Sequence, residues 1–244
     1  MSISIENKVA LVTGANRGIG KAIVESFINH GAKKVYLAVR DTSSTKELEE
    51  KYGNKVVTIK ADVSNSQSIK DLAQKANDVD VVVNNAGLGT PYATIGENVE
   101  EDFRQQLEVN AFGLLRVANA FAKTLEDKKG ALVQLNSIAS IKNFSQLSTY
   151  SASKAASYSL TQGLRTELGA KGVSILSVHP GPIDTDMAAS SGFETDSTTE
   201  EVAEGIVSAL KAGDFHLFPD VMAKQVEGAY QSFSDNVVLA DMNG

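Results

Sequence analysis

Short apolar runs that alternate with helical patterns are the feature that most constrains the fold of this 244-residue chain. Runs such as 9–12, 35–39 and 56–59 are rich in β-branched side chains and end at polar or glycine residues, which predicts buried strands. The segments between them carry apolar residues at helical spacing. Strand–helix alternation of this kind is typical of a parallel sheet with helices packed on both faces.

The same patterns predict the full order of elements. Strands are predicted over 9–12, 35–39, 56–59, 79–83, 131–135 and 173–178, with a weak seventh strand over 215–218. Helices are predicted over 18–31, 46–52, 66–76, 99–126, 150–172, 200–210 and 221–230. No low-complexity linker or internal repeat divides the chain. We therefore predict one doubly wound α/β domain over 1–244, with a seven-stranded, mostly parallel sheet.

Composition excludes several classes of function. A net charge of −7 and a pI near 5.1 argue against nucleic-acid binding, which depends on positive charge. The absence of cysteine excludes disulfides and thiolate catalysis. No apolar run approaches the roughly 20 residues of a membrane span, and residues 1–8 lack the order of a signal peptide. We expect a cytoplasmic protein without a membrane partner.

A glycine-rich turn lies between the first predicted strand and the first predicted helix. Gly14, Gly18 and Gly20 would let the backbone turn tightly and approach a ligand closely. Amides at a helix N-terminus, together with the helix dipole, favour a phosphate group. The position of the turn favours a dinucleotide site, and a generic glycine turn is the alternative.

Two arginines in this region bear on the choice of dinucleotide. An acidic residue after the second strand would bind a ribose diol, as in NAD sites. Arg40 occupies that place here, and Arg17 lies within the glycine turn. Two guanidinium groups are suited to a 2′-phosphate, which favours NADP. The alternative is that Arg40 pairs only with a surface carboxylate such as Asp41.

Tyr150 and Lys154 are four residues apart at the start of a predicted helix, so their side chains would lie on one face. A nearby cation lowers the pKa of a phenol. A phenol with such a pKa can exchange a proton during a reaction. The alternative is an unrelated Tyr and Lys on a helix surface.

Five motifs in order resemble those of the short-chain dehydrogenase/reductase family. They are Thr13-Gly14-x-x-x-Gly18-Ile19-Gly20, Asp62-Val63, Asn84-Asn85-Ala86-Gly87, Ser137 ahead of Tyr150-x-x-x-Lys154, and Pro180-Gly181. The resemblance covers residues 8–185. It implies a Rossmann-like fold and an NADP-preferring carbonyl reductase.

The resemblance also implies the site residues. The catalytic set would be Asn110, Ser137, Tyr150 and Lys154, with Asn110 at a local interruption of the long helix that holds a water. Ser140 competes with Ser137, but its spacing to Tyr150 does not fit. The implied NADP(H) contacts are Gly14, Asn16, Arg17, Gly18, Ile19, Gly20, Arg40, Asp62, Val63, Asn84, Ala86, Gly87, Tyr150, Lys154, Pro180, Gly181, Ile183 and Thr185.

The expected reaction is hydride transfer between NADPH and an aldehyde or ketone, or the reverse oxidation of an alcohol. Tyr150 would donate the proton, Ser137 would hydrogen-bond the same oxygen, and Lys154 would lower the pKa of Tyr150 and hold the cofactor ribose. A 3-oxoacyl-acyl-carrier-protein reductase is one alternative, although the acidic tail over 234–244 departs from that branch. A non-catalytic NADP-binding sensor or scaffold is another.

Apolar side chains dominate the expected substrate pocket, which favours an apolar or aromatic carbonyl compound. The candidates are Leu88, Thr90, Phe144, Leu147, Met187 and Phe193. The loop over 183–198 has the composition of a lid over the site.

Two further expectations concern metals and subunits. His30, His179 and His216 are scattered and lack ligand spacing, so no metal site is predicted. Apolar residues at mixed spacings on the helix over 99–126 predict core packing. The family resemblance adds a subunit contact through this helix and the next, in a homodimer or homotetramer.

Overall fold

The protein is described here by a computed structural model, which covers residues 1–89, 94–185 and 197–240. Seven strands of these ranges form one sheet: Val9–Thr13 (β1), Lys34–Val39 (β2), Val56–Lys60 (β3), Val81–Asn84 (β4), Ala131–Leu135 (β5), Ser174–Val178 (β6) and His216–Leu217 (β7). Their order is β3-β2-β1-β4-β5-β6-β7, and every neighbouring pair is parallel. The predicted Rossmann-like, seven-stranded α/β fold is confirmed.

Eight α-helices of the described residues flank the sheet. They are Gly18–Asn29 (α1), Lys46–Tyr52 (α2), Ser66–Lys75 (α3), Val99–Leu107 (α4), Gly113–Lys128 (α5), Ser148–Gly169 (α6), Thr199–Ala212 (α7) and Val221–Phe233 (α8). Predicted and observed bounds agree to within a few residues. Within the described part of the chain, no helix combines the length and apolarity that crossing a membrane requires.

Two apolar layers hold the helices on opposite faces of the sheet, because successive strand residues point to opposite sides. Ala10 and Val12 of β1 pack in a cluster with α1 and α7. Leu11, between them, packs in a second cluster with α3 and α5. Central-strand residues of both clusters are fully buried, as expected for a parallel sheet covered on both faces.

The chain reverses the direction in which it adds strands between β1 and β4, which are neighbours in the sheet. Beyond the carboxyl ends of these two strands, the connections leave to opposite sides and open a crevice. Thr13 fastens the crevice floor, since its Oγ1 accepts hydrogen bonds from the backbone N–H groups of Asn85 and Ala86, both at 3.0 Å. The fold thus places the glycine turn and the segment after β4 side by side.

The long helix predicted over 99–126 is interrupted, as the family resemblance implies. A π-helical turn over Glu108–Phe112 separates α4 from α5 and carries Asn110. Gly113 follows the turn, and a Cβ there would lie 3.2 Å from the Val63 side chain, so the helix passes close to the loop after β3. A π-turn inserts an extra residue into a helix and often marks a functional position.

Candidate active site

A cleft of about 1050 Å³ opens at the carboxyl edge of the sheet. Its size is at the upper end of the roughly 300–1,000 Å³ usual for ligand pockets, which suits an extended ligand such as a dinucleotide. Predicted site residues that line it are Gly14, Asn16, Arg17, Gly18, Ile19, Gly20, Arg40, Asp62, Val63, Ala86, Gly87, Ser137, Tyr150, Lys154, Pro180, Gly181, Ile183 and Thr185. Asn84 and Asn110 do not line it.

The glycine turn is too tight for a side chain at Gly14 or Gly20. Gly14 has φ +65°, in the left-handed region that glycine favours. A Cβ on Gly20 would lie 2.1 Å from the Gly14 carbonyl oxygen and 2.5 Å from Asn85 Nδ2. The closed turn brings the N-terminus of α1 to the cleft, where its free amides and dipole would face an anion.

Arg17 and Arg40 are both exposed and both line one end of the cleft. Among the described residues no ion pair joins Arg40 to Asp41, whose Oδ1 accepts hydrogen bonds from Ser43 N at 2.9 Å and Ser43 Oγ at 2.8 Å. Those two bonds hold the pKa of Asp41 below its usual value. Asp41 therefore caps the turn that follows it instead of pairing with Arg40.

Asp62 lines the same cleft as Arg40 and is close enough for the two charges to interact. Burial raises the pKa of its carboxyl, but hydrogen bonds from Ser64 and the positive charges of Arg40 and Arg116 lower it below the usual value overall. Arg116 also donates to the Val63 carbonyl oxygen at 3.1 Å and fixes the loop. Nothing in the local sequence marked Arg116, because it reaches this loop from α5.

One predicted cofactor contact, Asn84, does not line the cleft. Asn84 is buried within the sheet, where its Nδ2 donates to Gln134 Oε1 at 2.8 Å and its Oδ1 accepts from Thr13 Oγ1 at 3.3 Å. The next residue, Asn85, lines the cleft and donates to the Thr13 carbonyl oxygen at 2.9 Å. β4 ends at Asn84, so its side chain still belongs to the sheet and the following asparagine is the first to face the crevice.

Asn110 lies behind the cleft wall, with 1% of its surface exposed. Its Oδ1 accepts from Leu88 N at 2.8 Å, and its Nδ2 donates to the Leu88 carbonyl oxygen at 2.8 Å and to Ser153 Oγ at 2.9 Å. A Cβ on Gly87 would lie 3.4 Å from Asn110 Oδ1 and 3.6 Å from Lys154 Nζ. Asn110 therefore clamps the strand-end backbone onto α6, next to Lys154.

Ser137 and Tyr150 meet in the cleft, as predicted. The Ser137 hydroxyl lies beside the phenol, accepts a hydrogen bond from Ala139 N at 3.1 Å and donates one to the Pro180 carbonyl oxygen at 3.3 Å. Burial raises the pKa of Tyr150 to about 12, although the bond with Ser137 opposes this. The pKa of Tyr150 is therefore raised in this structure and not lowered as the sequence predicted, because burial outweighs the effect of the Ser137 hydroxyl.

Lys154 lies one helical turn from Tyr150, also as predicted, with Nζ 5.7 Å from the centroid of the phenol ring. The ammonium donates to the Leu135 carbonyl oxygen at 2.7 Å. Burial lowers its pKa to about 8. At neutral pH the ammonium is mostly charged and is held against the end of β5, below the phenol.

The competing Ser140 is committed elsewhere, as its spacing predicted. It is buried and does not line the cleft, and its hydroxyl bonds to the Ser137 carbonyl oxygen and to His179 Nδ1.

The histidines are scattered along the sequence, but two of them lie close together in the structure. The rings of His179 and His216 lie 5.6 Å apart, and Tyr158 Oη is 2.7 Å from His216 Nε2. Within the described ranges, no three His, Cys, Asp or Glu residues are arranged to hold a metal ion.

The substrate end of the cleft is lined in part by the expected apolar residues. Leu88, Phe144 and Leu147 all line it. Thr90, Met187 and Phe193, with most of the 183–198 loop, lie outside the described residues. Sequence reasoning missed many other lining residues, among them Thr13, Ser44, Asn85, Ile138, Ala139, Thr199 and Met222. Met222 comes from α8, about forty residues along the chain from the last predicted motif, so no local pattern pointed to it.

Comparisons with known proteins agree with this geometry. A family model described as short chain dehydrogenase matches residues 8–196. An uncharacterized oxidoreductase of Staphylococcus saprophyticus is 33% identical over 220 residues, which cover 86% of this chain and 93% of that protein. The 3-oxoacyl-(acyl-carrier-protein) reductase of Chlamydia muridarum is 31% identical over 195 residues, which cover 77% of this chain and 78% of that protein.

Among solved structures, a crystal structure of a short chain dehydrogenase from Burkholderia cenocepacia in complex with NADP is similar over 98% of this chain and 100% of that chain. The TM-score is 0.88 and the sequence identity is 31%. The likeness therefore extends beyond the motifs to nearly the whole chain.

Proposed function

The chain belongs to the short-chain dehydrogenase family of oxidoreductases, and from this premise we propose that it transfers a hydride between NADP(H) and an aldehyde or ketone. The observation that carries the proposal is that the Ser137 hydroxyl and the Tyr150 phenol lie side by side in the cleft. The Lys154 ammonium is 5.7 Å from the centroid of the phenol ring. Two hydroxyl groups on one site can both reach a single carbonyl oxygen.

The described residues fit a dinucleotide with a 2′-phosphate. The glycine turn has no room for a side chain at Gly14 or Gly20, so backbone amides at the start of α1 would hold the pyrophosphate. Arg17 and Arg40 line the same end, and Asp41 is engaged as a cap instead of being free to bind a ribose diol. The similarity to an NADP complex supports the same choice. When bound, NADPH would supply the hydride.

The protein's own residues would donate the proton and stabilise the negative charge that develops on the carbonyl oxygen. With its pKa raised to about 12, Tyr150 is a neutral phenol at pH 7 and so begins carbonyl reduction in the form that donates a proton. Ser137 would hydrogen-bond the same oxygen as negative charge develops on it. Lys154 would stabilise the phenolate that remains and hold the cofactor ribose.

The substrate is proposed to be apolar or aromatic near its carbonyl group. Phe144, Leu147 and Leu88 give this end of the cleft an apolar wall. Similarity to the Chlamydia muridarum reductase favours a second candidate, a 3-oxoacyl thioester attached to a carrier protein. Both candidates use the same hydroxyl pair and differ only in what lies beyond the carbonyl.

The test is NADPH oxidation against a panel of aromatic aldehydes, apolar ketones, charged keto acids and an acetoacetyl thioester. We expect turnover with the first two groups, and loss of about 100-fold or more in the Tyr150→Phe variant, with NADPH affinity unchanged. Tyr158→Phe is the matched control on the same helix, because its hydroxyl contacts His216 and Tyr230 away from the cleft.

Other outcomes of this panel discriminate between the candidates. Turnover restricted to the thioester would favour the carrier-protein reductase. Tight NADPH binding with no turnover on any compound would favour a sensor or scaffold. Normal turnover by Tyr150→Phe would show that the proton comes from another group.

A further inference from the structure

Asp220 is a buried carboxylate that no step of the proposed reaction uses, and it joins two segments of the cleft. Its Oδ1 accepts a hydrogen bond from Ala223 N at 2.9 Å and so caps the N-terminus of α8. Its Oδ2 accepts from Gly181 N at 2.7 Å. Only 4% of the residue is exposed, so hydrogen bonds from these two N–H groups replace the hydration that the carboxylate would have in water.

The contact between Asp220 and Gly181 is close enough to exclude any side chain. A Cβ on Gly181 would lie 2.6 Å from Asp220 Oδ1 and 3.4 Å from Met222 Cβ. The glycine is therefore fitted to the carboxylate. The backbone of the 180–183 segment can approach α8 only because residue 181 has no side chain.

The same segment is also hydrogen-bonded to the loop after β5, which carries Ser137. The Pro180 carbonyl oxygen accepts from Ile138 N at 3.0 Å and lies 3.3 Å from Ser137 Oγ. Thr185, farther along, lies close to the glycine turn, since a Cβ on Gly18 would be 3.3 Å from its Cγ2. The segment thus runs from the Ser137 hydroxyl across the cleft.

We propose that Asp220 is a positioning residue that fixes the 180–183 segment, and with it one wall of the nicotinamide half of the cleft. The inference rests on the proposed NADP(H) function. Hydrogen bonds to an ionised acceptor are stronger than neutral ones, and a carboxylate at a helix N-terminus also gains from the helix dipole. One side chain thereby couples the start of α8, including Met222, to the backbone that adjoins Ser137.

Two substitutions separate the two contacts. Asp220→Ser keeps a good helix cap, but its single hydroxyl cannot also reach Gly181 N. Asp220→Asn has the same size and only one acceptor oxygen for two N–H donors. We expect each to raise the Kd for NADPH by about 10-fold. The Kd for 2′,5′-ADP should stay unchanged, because that nucleotide would reach only the end of the cleft at Arg17 and Arg40.

Gly213→Ala is the control for a general loss of stability. Gly213 ends α7 with φ +82°, and a Cβ there would lie 3.1 Å from the Met1 backbone. This variant should melt at a lower temperature with both nucleotide affinities unchanged. Asp220→Ser, which keeps the cap, should melt close to the wild type and still lose NADPH affinity.

Amide hydrogen exchange at Gly181 gives a readout independent of nucleotides, and it should be about 10-fold faster in Asp220→Ser. Wild-type NADPH affinity in both Asp220 variants would overturn the inference, and so would equal weakening of NADPH and 2′,5′-ADP. If the wild type binds neither nucleotide, the proposed function fails. Exchange at Gly181 then still decides whether Asp220 holds the segment, and an unchanged rate would overturn the inference.

Discussion

Replacement of Lys154 by Met is expected to stabilise the protein while it destroys activity. Burial lowers the pKa of Lys154 from 10.5 to about 8. At pH 7 this difference corresponds to about 3 kcal/mol of unfavourable burial of the ammonium. Met has a similar length and no charge. The variant loses the hydrogen bond to the Leu135 carbonyl oxygen, worth about 1.5–3 kcal/mol, but that oxygen keeps a bond from Gln134 Nε2 at 3.1 Å.

The net gain at pH 7 is therefore expected to be about 1 kcal/mol, or about 2–4 °C in Tm for a chain of this length.

The gain in stability depends on pH, and the burial of Lys154 fixes the sign of that dependence. A lysine whose folded pKa is depressed destabilises fully below that pKa, and the cost disappears as pH rises from about 8 toward 10.5. Urea denaturation of the wild type and of Lys154→Met at pH 7 and pH 10 measures this dependence of the free energy of unfolding on pH. The free energy of unfolding of Lys154→Met relative to the wild type should fall by about 2 kcal/mol between pH 7 and pH 10, so the advantage should reverse at the higher pH.

Lys34→Met is the matched control. Burial by itself would lower the pKa of Lys34, but hydrogen bonds with Asp78 and Tyr36 raise it above its usual value overall. This ammonium stabilises the fold, so its removal should cost about 0.5–1 kcal/mol at pH 7. Carbonyl reduction should be unaffected in Lys34→Met and reduced by about 100-fold or more in Lys154→Met. A pH-independent stability difference for Lys154→Met would refute the argument from burial.

Three further predictions follow from single contacts. Gly20→Ala should abolish NADPH binding, because its Cβ would lie 2.1 Å from the Gly14 carbonyl oxygen. Gly163→Ala is the control: the space around Gly163 is open, so this variant should raise the free energy of unfolding by about 0.5–1 kcal/mol. Arg40→Ala should raise the Kd for NADPH by about 10–100-fold and leave that for NADH nearly unchanged, and equal losses would contradict the assignment. We expect a homodimer or homotetramer by light scattering, and a smaller mass for Phe112→Glu, since Phe112 is 49% exposed on the single chain. An unchanged mass would exclude this contact.

Features set by local spacing could be predicted from the sequence. Tyr150 and Lys154 lie on one face of α6 because helical geometry alone places residues four apart together. The glycine turn lies at a strand–helix junction, and both of its neighbours are strongly patterned. In each case the chemistry depends on residues within one or two turns of each other.

Features that depend on where a strand ends or on which strands pair could not be predicted from the sequence. Asn84 and Asn85 differ by one position, but one residue decides whether a side chain belongs to the sheet or to the crevice. His179 and His216 come together because β7, a strand of only two residues, pairs with the end of β6. Asp220 reaches Gly181 across 39 residues of chain, and no pattern in the sequence relates them.

The electrostatic expectation for Tyr150 and Lys154 differed from the structure for a related reason. Adjacency on a helix indicates that a cation is near a phenol, but it does not give the depth at which both lie. Burial disfavours the charged form of each group, so it raises the pKa of Tyr150 and lowers that of Lys154. The fold thereby keeps the phenol protonated at neutral pH. The site is therefore poised to donate a proton to a carbonyl oxygen, and it would need a higher pH, or added positive charge beside the phenol, to accept one from an alcohol.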